Sequence, residues 1–427
     1  MIRLVAMASA LFLFAAAIYA RHLYRRSDNP ATILNFTWSV VLALYSLMGD
    51  AFYDVQLSTI FLFLAAALAL FLGCLCAGVD GYPGVNIDIT DFGRRSELYS
   101  IYLWALILLS FLPMYYELQV GENEIPDGLN LIAAIRVYSN EADGQVRNFS
   151  IVRNLQPISL ILPLAYFLVC NRGQVNKLVG VLLVLLAMAY GLFTGSKAIV
   201  PVLGVTLCVV AVYRNRGQLR GSGYEPILIG GALGFIVLIR FVNLAYEDRT
   251  ELELLFISIK SAVAYVVSPV VAFNTYTINP ERFDLSGQNL LSPLIYIYTS
   301  IFNAIGVRNM NNFPIIHAPF TPPGPDFSND SYNTFSYLIG YYQVIGPIGV
   351  PIMVFVVGYV IAIIYRIGLR GNIVMQLTYI YLTRALVLSF NGENILGDVA
   401  NIFKFWVAAY IVIILTPKVL NFFLSDV

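Results

Sequence analysis

The chain has 427 residues, of which 59% are hydrophobic and only 12% are charged, against roughly a quarter charged in an average soluble domain. This composition excludes an ordinary soluble enzyme and predicts an integral membrane protein. Lys plus Arg and Asp plus Glu both number 25, so the net charge gives no reason to expect nucleic acid as a partner.

Cysteine and histidine are scarce. The four cysteines lie in or beside apolar runs, where cysteine usually behaves as a small hydrophobic residue. They are Cys74, Cys76, Cys170 and Cys208. With two histidines and no metal-type cluster, the sequence predicts no disulfide framework, no metal centre and no cofactor. A metal held by loop carboxylates is the alternative that stays open.

Long apolar runs follow one another along the chain. We interpret each as a helix, because the backbone must satisfy its own hydrogen bonds in lipid. A helix needs about 20 mostly apolar residues to cross the hydrocarbon core. The sequence predicts about eleven transmembrane helices in a single polytopic membrane domain, residues 1–427. The runs are 4–20, 32–48, 58–77, 99–116, 157–170, 178–193, 199–213, 226–239, 347–365, 373–390 and 402–415. The first run also has features of a secretory signal, an alternative interpretation.

Basic residues between these runs indicate the orientation, because short cytoplasmic loops are enriched in Lys and Arg. All of the following fall on one side when the N-terminus is placed outside: Arg21, Arg25, Arg26, Arg94, Arg95, Arg172, Lys177, Arg214, Arg216, Arg220, Arg366, Arg370 and Lys418. The loops on that side are short and leave no room for a soluble catalytic domain. Any chemistry is therefore predicted at the outer face.

Two long polar segments are predicted on that outer face, residues 117–156 and 240–346. Within the second, residues 252–273 are long enough to span. Burying Lys260 at the centre of a span would cost about 2.5 to 3.5 kcal/mol on insertion scales, and a crossing would move Arg366 and Arg370 outside. We therefore predict an interfacial or re-entrant helix here. The fold prediction is an all-α membrane protein with two long outer loops that contain interfacial helices.

Outward cations are the first candidate site residues, because short outer loops usually avoid them and guanidinium groups suit phosphate oxygens. The candidates are Arg147, Arg153, Lys197, Arg240, Arg249, Arg308 and Arg384. Arg384 and Lys197 are the strongest, since each lies in or beside an apolar run. The alternative is pairing with loop carboxylates such as Glu247 and Asp248. The Thr194-Gly195-Ser196-Lys197 turn is either a helix break or an anion-binding turn.

Candidate bases and sugar-binding residues lie in the same loops. Carboxylates and histidine are the usual bases for activating a hydroxyl, and we select Asp326, Glu393 and His317. Glu393 is equally suited to stabilising the start of the following helix, and a lone loop histidine often has no catalytic role. Aromatic rings suit the apolar faces of sugars. The predicted sugar-binding set is Asn333, Tyr337, Tyr341 and Tyr342.

One stretch carries a family resemblance. Asn333-Thr334-Phe335-Ser336-Tyr337-Leu338, followed by Tyr341-Tyr342 and by Gly346 and Gly349, resembles the Wzy-type oligosaccharide repeat-unit polymerases of bacterial O-antigen and capsule synthesis. The Thr194-Gly195-Ser196-Lys197 turn, the many predicted spans and the two outer loops are similar to the same family. The resemblance extends over most of the chain, mainly in the arrangement of spans and loops.

The resemblance implies a metal-independent glycosyltransferase of the class C type in the bacterial inner membrane, with its active site facing the periplasm. Its partners would be undecaprenyl-pyrophosphate-linked oligosaccharides and membrane lipids, with a polysaccharide chain-length regulator as a further candidate. The cations above would hold the leaving pyrophosphate. An O-antigen ligase is the alternative enzyme, and a transporter or flippase of lipid-linked oligosaccharide is the alternative from another class.

Overall fold

The computed structural model describes residues 1–78, 156–169, 177–193, 199–214, 251–280, 322–327, 336–389, 399–411 and 414. In these ranges the chain forms α-helices and two 3-10 turns and no strand. The helices are α1 (Ile2–Tyr24), α2 (Pro30–Leu47), α3 (Leu57–Cys76), α4 (Gln156–Val169), α5 (Lys177–Phe193), α6 (Ile199–Arg214), α7 (Glu251–Ile278), α8 (Leu338–Leu369), α9 (Ile373–Val387) and α10 (Val399–Tyr410). The turns are Gly49–Ala51 and Pro325–Phe327.

The prediction of an all-α membrane protein is confirmed at this coarse level. Five helical segments are long and apolar enough to cross a membrane: Ile2–Tyr24, Pro30–Leu47, Leu57–Cys76, Leu255–Ile278 and Ile345–Leu369. Nine of the eleven predicted runs coincide with helices α1 to α6 and α8 to α10. The predicted spans 99–116 and 226–239 lie outside the described residues, so the total of eleven stays a prediction.

Two groups of helices meet at α9. In the first, α1, α2, α3 and α8 pack on one another, and α7 packs on α2 and α3. In the second, α4, α5 and α6 pack together and α10 packs on α4. Helix α9 contacts α2 and α8 on one side and α6 and α10 on the other. Its middle is accordingly buried almost throughout.

The turn between α1 and α2 is fixed by local hydrogen bonds. Pro30 opens α2, where its missing N–H costs nothing and its fixed φ favours the helix. Asn29 is the N-cap, and its side-chain oxygen accepts the N–H of Thr32 at 2.8 Å. The amide of Asn29 donates back to the carbonyl of Arg26 at 2.6 Å. We call this end of the bundle the Arg26 end, and the opposite end, with the Gly49–Ala51 turn, the Gly49 end.

A buried ion pair ties the Arg26 end together, and the sequence analysis missed it. Arg26 donates from Nε and Nη2 to the two carboxylate oxygens of Asp28, at 2.9 and 2.8 Å. Tyr365 of α8 donates to Oδ1 of Asp28 at 3.0 Å, and Tyr379 of α9 donates to the Asp28 carbonyl. The side chain of Asp28 is 1% exposed. We call these four residues the Asp28 cluster; it links the α1–α2 turn to α8 and α9.

Glycine allows α3 and α8 to pack at very close range. A Cβ at Gly358 would lie 2.5 Å from the carbonyl oxygen of Leu70, and one at Gly73 would overlap the carbonyl of Phe355. The thiol of Cys74 also contacts the carbonyl of Gly358 at 3.5 Å. Close backbone approach through small residues is how helices gain contact in lipid, where there is no hydrophobic drive between them. Because Leu70 meets Gly358 while Gly78 meets Arg366, the two helices run parallel.

Helix α8 is broken near its start. The predicted span 347–365 begins at Pro347, but helical structure begins earlier, at Leu338. Gly346 separates the two parts with φ 71° and ψ −172°, a conformation that only glycine adopts readily. Pro347 follows and supplies no N–H. We call residues 338–345 the half-helix; it occupies the end of the predicted outer loop 240–346.

Helix α7 makes polar contacts near the Gly49 end and an aromatic contact deeper in the helix group. Lys260 pairs with Asp326, and Asn274 accepts hydrogen bonds from the N–H of Gln56 and the hydroxyl of Thr59. Phe273 packs edge-on against Phe63 of α3, with ring centroids 5.4 Å apart. The interfacial or re-entrant arrangement predicted for this helix stays a prediction, because Leu255–Ile278 also satisfies the length criterion for a span.

Substitution of Gly358 by alanine should destabilise the protein by about 1–3 kcal/mol, because the new methyl group would push against the backbone of Leu70. Thermal unfolding in detergent measures the effect. Gly204→Ala is the matched control, since a Cβ there meets nothing within 4 Å. Equal unfolding temperatures for the two variants would contradict the close α3–α8 contact.

Substitution of Asp28 by alanine should cost about 3–5 kcal/mol, because Arg26 would stay buried without its carboxylate. Tyr365→Phe removes one hydrogen bond to a charged group and should cost about 1.5–3 kcal/mol. Equilibrium unfolding in mixed detergent gives both values. A double Arg26→Met, Asp28→Leu variant that is no more stable than Asp28→Ala would show that the charge pairing is not the cause.

Candidate functional site

The structure describes five of the fourteen predicted site residues: Asp326, Arg384, Tyr337, Tyr341 and Tyr342. The other nine lie outside the described residues. They are His317, Glu393, Arg147, Arg153, Lys197, Arg240, Arg249, Arg308 and Asn333. The five described residues are divided between a segment docked on the Gly49 end, the half-helix, and α9.

Asp326 lies in a short segment, residues 322–327, that is docked on the Gly49 end. The N–H of Tyr53 donates to the carbonyl of Pro323 at 3.0 Å. Gly324 lies so close to the backbone of Ala51 that a Cβ would overlap it. Asp326 then pairs with Lys260 of α7 at 3.2 Å, with the carboxylate half exposed. The carboxylate is therefore held in place and accessible, as a base acting on an outside substrate requires.

A second ion pair lies at the same end. Arg3 near the start of α1 donates to Asp50 at 2.5 Å and lies 3.6 Å from Asp54. Both carboxylates are largely exposed. With the Lys260–Asp326 pair, these groups place exposed ion pairs at the Gly49 end of the first helix group.

The predicted sugar-binding tyrosines are part of an aromatic cluster. Tyr342 packs edge-on against Phe273 and Tyr276 of α7, with ring centroids 5.5 and 6.1 Å apart. Tyr337 lies 6.4 Å from Tyr341. Tyr341 is fully buried, whereas Tyr342 is partly exposed. In this arrangement Tyr342 alone among the three offers part of its ring to a ligand, and Tyr341 serves as packing.

Arg384 is partly buried on α9, in an apolar setting. Its Nη2 donates to the hydroxyl of Tyr381 at 2.5 Å, and its guanidinium carbon lies 4.0 Å from the centre of that ring. Tyr381 in turn stacks on Phe405 of α10, with centroids 4.3 Å apart. The stack orients the guanidinium and offsets part of its desolvation. Arg384 is thus a fixed cation, and its neighbour Tyr381 joins α9 to α10 of the second helix group.

The start of the half-helix lies inside the protein. The N–H of Tyr337 donates to the carbonyl of Ser389 at 3.1 Å, and the indole N–H of Trp38 donates to the hydroxyl of Ser389 at 2.9 Å. Trp38 stacks on Phe63 of α3 and lies 5.6 Å from the ring of Tyr337. Trp38 is nine residues before the end of α2, about 13 Å from the Gly49 end at 1.5 Å per residue. The half-helix therefore starts at depth.

The other end of the half-helix returns to the Gly49 end. Gly358 of α8 lies beside Leu70 of α3, and the two helices are parallel. Counting back the same number of residues along both helices places Gly346 near the level of Leu57. Eight residues of helix rise about 12 Å, which matches the depth of Trp38. The segment 336–345 thus runs from inside the helix group to the Gly49 end, where the chain turns at Gly346.

No metal-type grouping of three His, Cys, Asp or Glu side chains occurs within the described ranges. Several candidate carboxylates, Glu393 among them, lie outside those ranges.

No protein-family model matches the sequence, and neither curated proteins nor solved structures are significantly similar to it. The resemblance to repeat-unit polymerases thus rests on the short motifs quoted above.

Asp326→Asn should lower turnover of a sugar substrate by about 10²–10⁴-fold if Asp326 is the base. It should change the free energy of unfolding by less than about 1 kcal/mol, because the pair with Lys260 is exposed. Lys260→Met is the matched control: it removes the same ion pair and leaves the carboxylate. Steady-state rates and thermal unfolding separate the two effects. An equal loss of turnover in both variants would show that the ion pair matters and the base does not.

Proposed function

We propose that this protein is an oligosaccharide repeat-unit polymerase of the bacterial inner membrane, acting on undecaprenyl-pyrophosphate-linked substrates at the periplasmic face. The observation that carries the proposal is the coincidence of sequence and geometry at residues 336–346. The stretch that resembles the polymerase motif leads into the half-helix, which starts about 13 Å from the Gly49 end of the helix group. A lipid-linked donor presents its pyrophosphate at the bilayer, and the start of a helix is suited to binding such an anion.

The proposed reaction transfers the growing chain from its lipid to one new repeat unit. A hydroxyl oxygen of the acceptor's terminal sugar attacks the anomeric carbon of the donor's first sugar. The bond from that carbon to the pyrophosphate oxygen breaks, and undecaprenyl pyrophosphate leaves with the electron pair. Attack opposite the leaving group inverts the anomeric centre. The base accepts the hydroxyl proton, and no metal, nucleotide or oxidant enters the balance.

The proposed roles follow from side-chain chemistry. Asp326, Glu393 and His317 are the candidate bases, and Asp326 has the supporting geometry of an oriented, accessible carboxylate. Charge that develops on the pyrophosphate is stabilised by fixed donors and cations. Arg384 is a fixed cation of this kind, and Arg147, Arg153, Lys197, Arg240, Arg249 and Arg308 are the loop candidates. Tyr342 and Asn333 are the candidates for sugar contacts.

Purified protein incubated with the lipid-linked repeat unit alone, in the presence of chelator, should form a product ladder spaced by one repeat. Arg384→Ala should slow ladder formation by about 10²–10³-fold, the effect of removing one preorganised donor to developing negative charge. Tyr381→Phe is the companion variant, because it keeps the ring beneath the guanidinium and removes only one hydrogen bond. The gel gives the rates directly.

Absence of a ladder with a substrate that another polymerase extends would overturn the proposal. Retention of the donor's own anomeric configuration in the polymer would overturn the inverting step. An O-antigen ligase uses the same donor on a different acceptor, and gene deletion separates the two. Loss of a polymerase leaves a single capped repeat, and loss of a ligase leaves none.

Transport of lipid-linked oligosaccharide is the second candidate function. One observation favours it: the break in α8 at Gly346. Broken helices are common where transporters bind their substrates. A flipping assay in sealed vesicles distinguishes transport from the ladder expected of a polymerase.

A further inference from the structure

Two hydroxyl groups at the start of the half-helix have no hydrogen-bond partner. Ser336 is completely buried and Tyr337 is 2% exposed, yet neither Ser336 Oγ nor Tyr337 Oη is hydrogen-bonded. Leaving a buried polar group unsatisfied costs about 1–3 kcal/mol. Such groups need an explanation in a native protein, and an absent ligand is one.

The backbone beside these hydroxyls is the N-terminus of a helix. The carbonyl of Ser336 accepts the N–H of Ile339 at 3.2 Å, so Ser336 forms part of the first turn. N–H groups at a helix start carry partial positive charge and favour anions. In membrane proteins, half-helices that start inside the bilayer point this end at anionic groups of the substrate.

The groups gathered here are donors. The Tyr337 hydroxyl can donate, because a phenol with its ordinary pKa of about 10 is protonated at neutral pH. The serine hydroxyl can donate as well. Phosphate oxygens only accept hydrogen bonds, so they complement a set of donors. A sugar hydroxyl fits less well, because it would also need an acceptor for its own O–H.

The first turn of the half-helix is also held firmly. Tyr337 is hydrogen-bonded through its backbone to Ser389, and its ring packs on Trp38, which is fixed by its own bond to Ser389. Donors held in place before the ligand arrives do not need to reorganise on binding. The two unpaired hydroxyls lower the stability of the ligand-free protein. Loss of stability is common at binding sites whose groups are oriented before the ligand binds.

We infer that Ser336, Tyr337 and the start of the half-helix form a subsite for a phosphate group of a polyprenyl pyrophosphate. The inference rests on the proposed function, and it specifies where the lipid end of the donor binds. It assigns Tyr337 to the phosphate instead of the sugar. The half-helix then holds the pyrophosphate at depth, while Tyr342 faces the sugars nearer to the Gly49 end.

Binding of farnesyl diphosphate to the purified full-length protein in detergent tests the subsite by calorimetry. Tyr337→Phe and Ser336→Ala should each weaken binding about tenfold, which corresponds to about 1.4 kcal/mol. Without ligand, Tyr337→Phe should leave the unfolding temperature unchanged or raise it, because it removes an unsatisfied hydroxyl. Inorganic pyrophosphate and phosphatidylglycerol, tested separately, distinguish a preference for the prenyl pyrophosphate from general phosphate binding.

Thr37→Val is the matched control. The Thr37 hydroxyl on α2 is also buried and unpaired, and the substitution keeps its shape. Its effect on stability should resemble that of Tyr337→Phe, while farnesyl diphosphate binding stays at the wild-type level. Equal binding by all four proteins would overturn the subsite, as would a lower unfolding temperature for Tyr337→Phe, which indicates a structural hydrogen bond.

The ladder assay separates this inference from the proposed function. Weakened binding in the two variants, together with no ladder from the wild type, supports the subsite and overturns polymerisation. A wild-type ladder with unchanged binding in both variants overturns the subsite and leaves polymerisation in place.

Discussion

The close contact between α3 and α8 sets the position of the half-helix and its tyrosines in the candidate site. Gly73 and Gly358 allow the two backbones to touch, and their parallel register brings the break at Gly346 to the Gly49 end. From there the half-helix can only turn back between α2, α7 and α9. A side chain at either glycine would separate the helices and move the buried start of the half-helix. Close packing through small residues is a main source of stability for helix association in lipid.

Two polar centres stabilise opposite ends of this group. At the Arg26 end, the Asp28 carboxylate accepts three hydrogen bonds, two from Arg26 and one from Tyr365, so a buried charge is fully paired. At the Gly49 end, the pairs Lys260–Asp326 and Arg3–Asp50 are exposed and contribute little to stability. The contrast is consistent with a closed structural end and an accessible chemical end. It is also the reason why Asp326, and not Asp28, is the candidate base.

The candidate site combines a cation, buried hydroxyl donors and a partly exposed aromatic ring. Arg384 is oriented by Tyr381, whose ring stacks on Phe405 and connects α9 to α10. Ser336 and Tyr337 present unpaired donors inside the protein, which is unfavourable unless an acceptor arrives. Tyr342 lies between them and α7. A ligand with an anionic lipid end and a polar carbohydrate end matches this order from interior to surface.

Sequence alone determined the helical class and most helix positions, because long apolar runs can satisfy their backbone only as helices. The sequence also indicated residues 333–349 and Arg384 as candidate site residues, because polar groups stand out among apolar residues. Only the tertiary structure decided that Tyr337 and Tyr341 are buried, that Gly73 and Gly358 touch backbone, and that Asp28 pairs with Arg26, Tyr365 and Tyr379. Apart from the local Arg26–Asp28 pair, these contacts join residues far apart in the chain. A local pattern states what a residue can do, but its partners depend on how the helices pack.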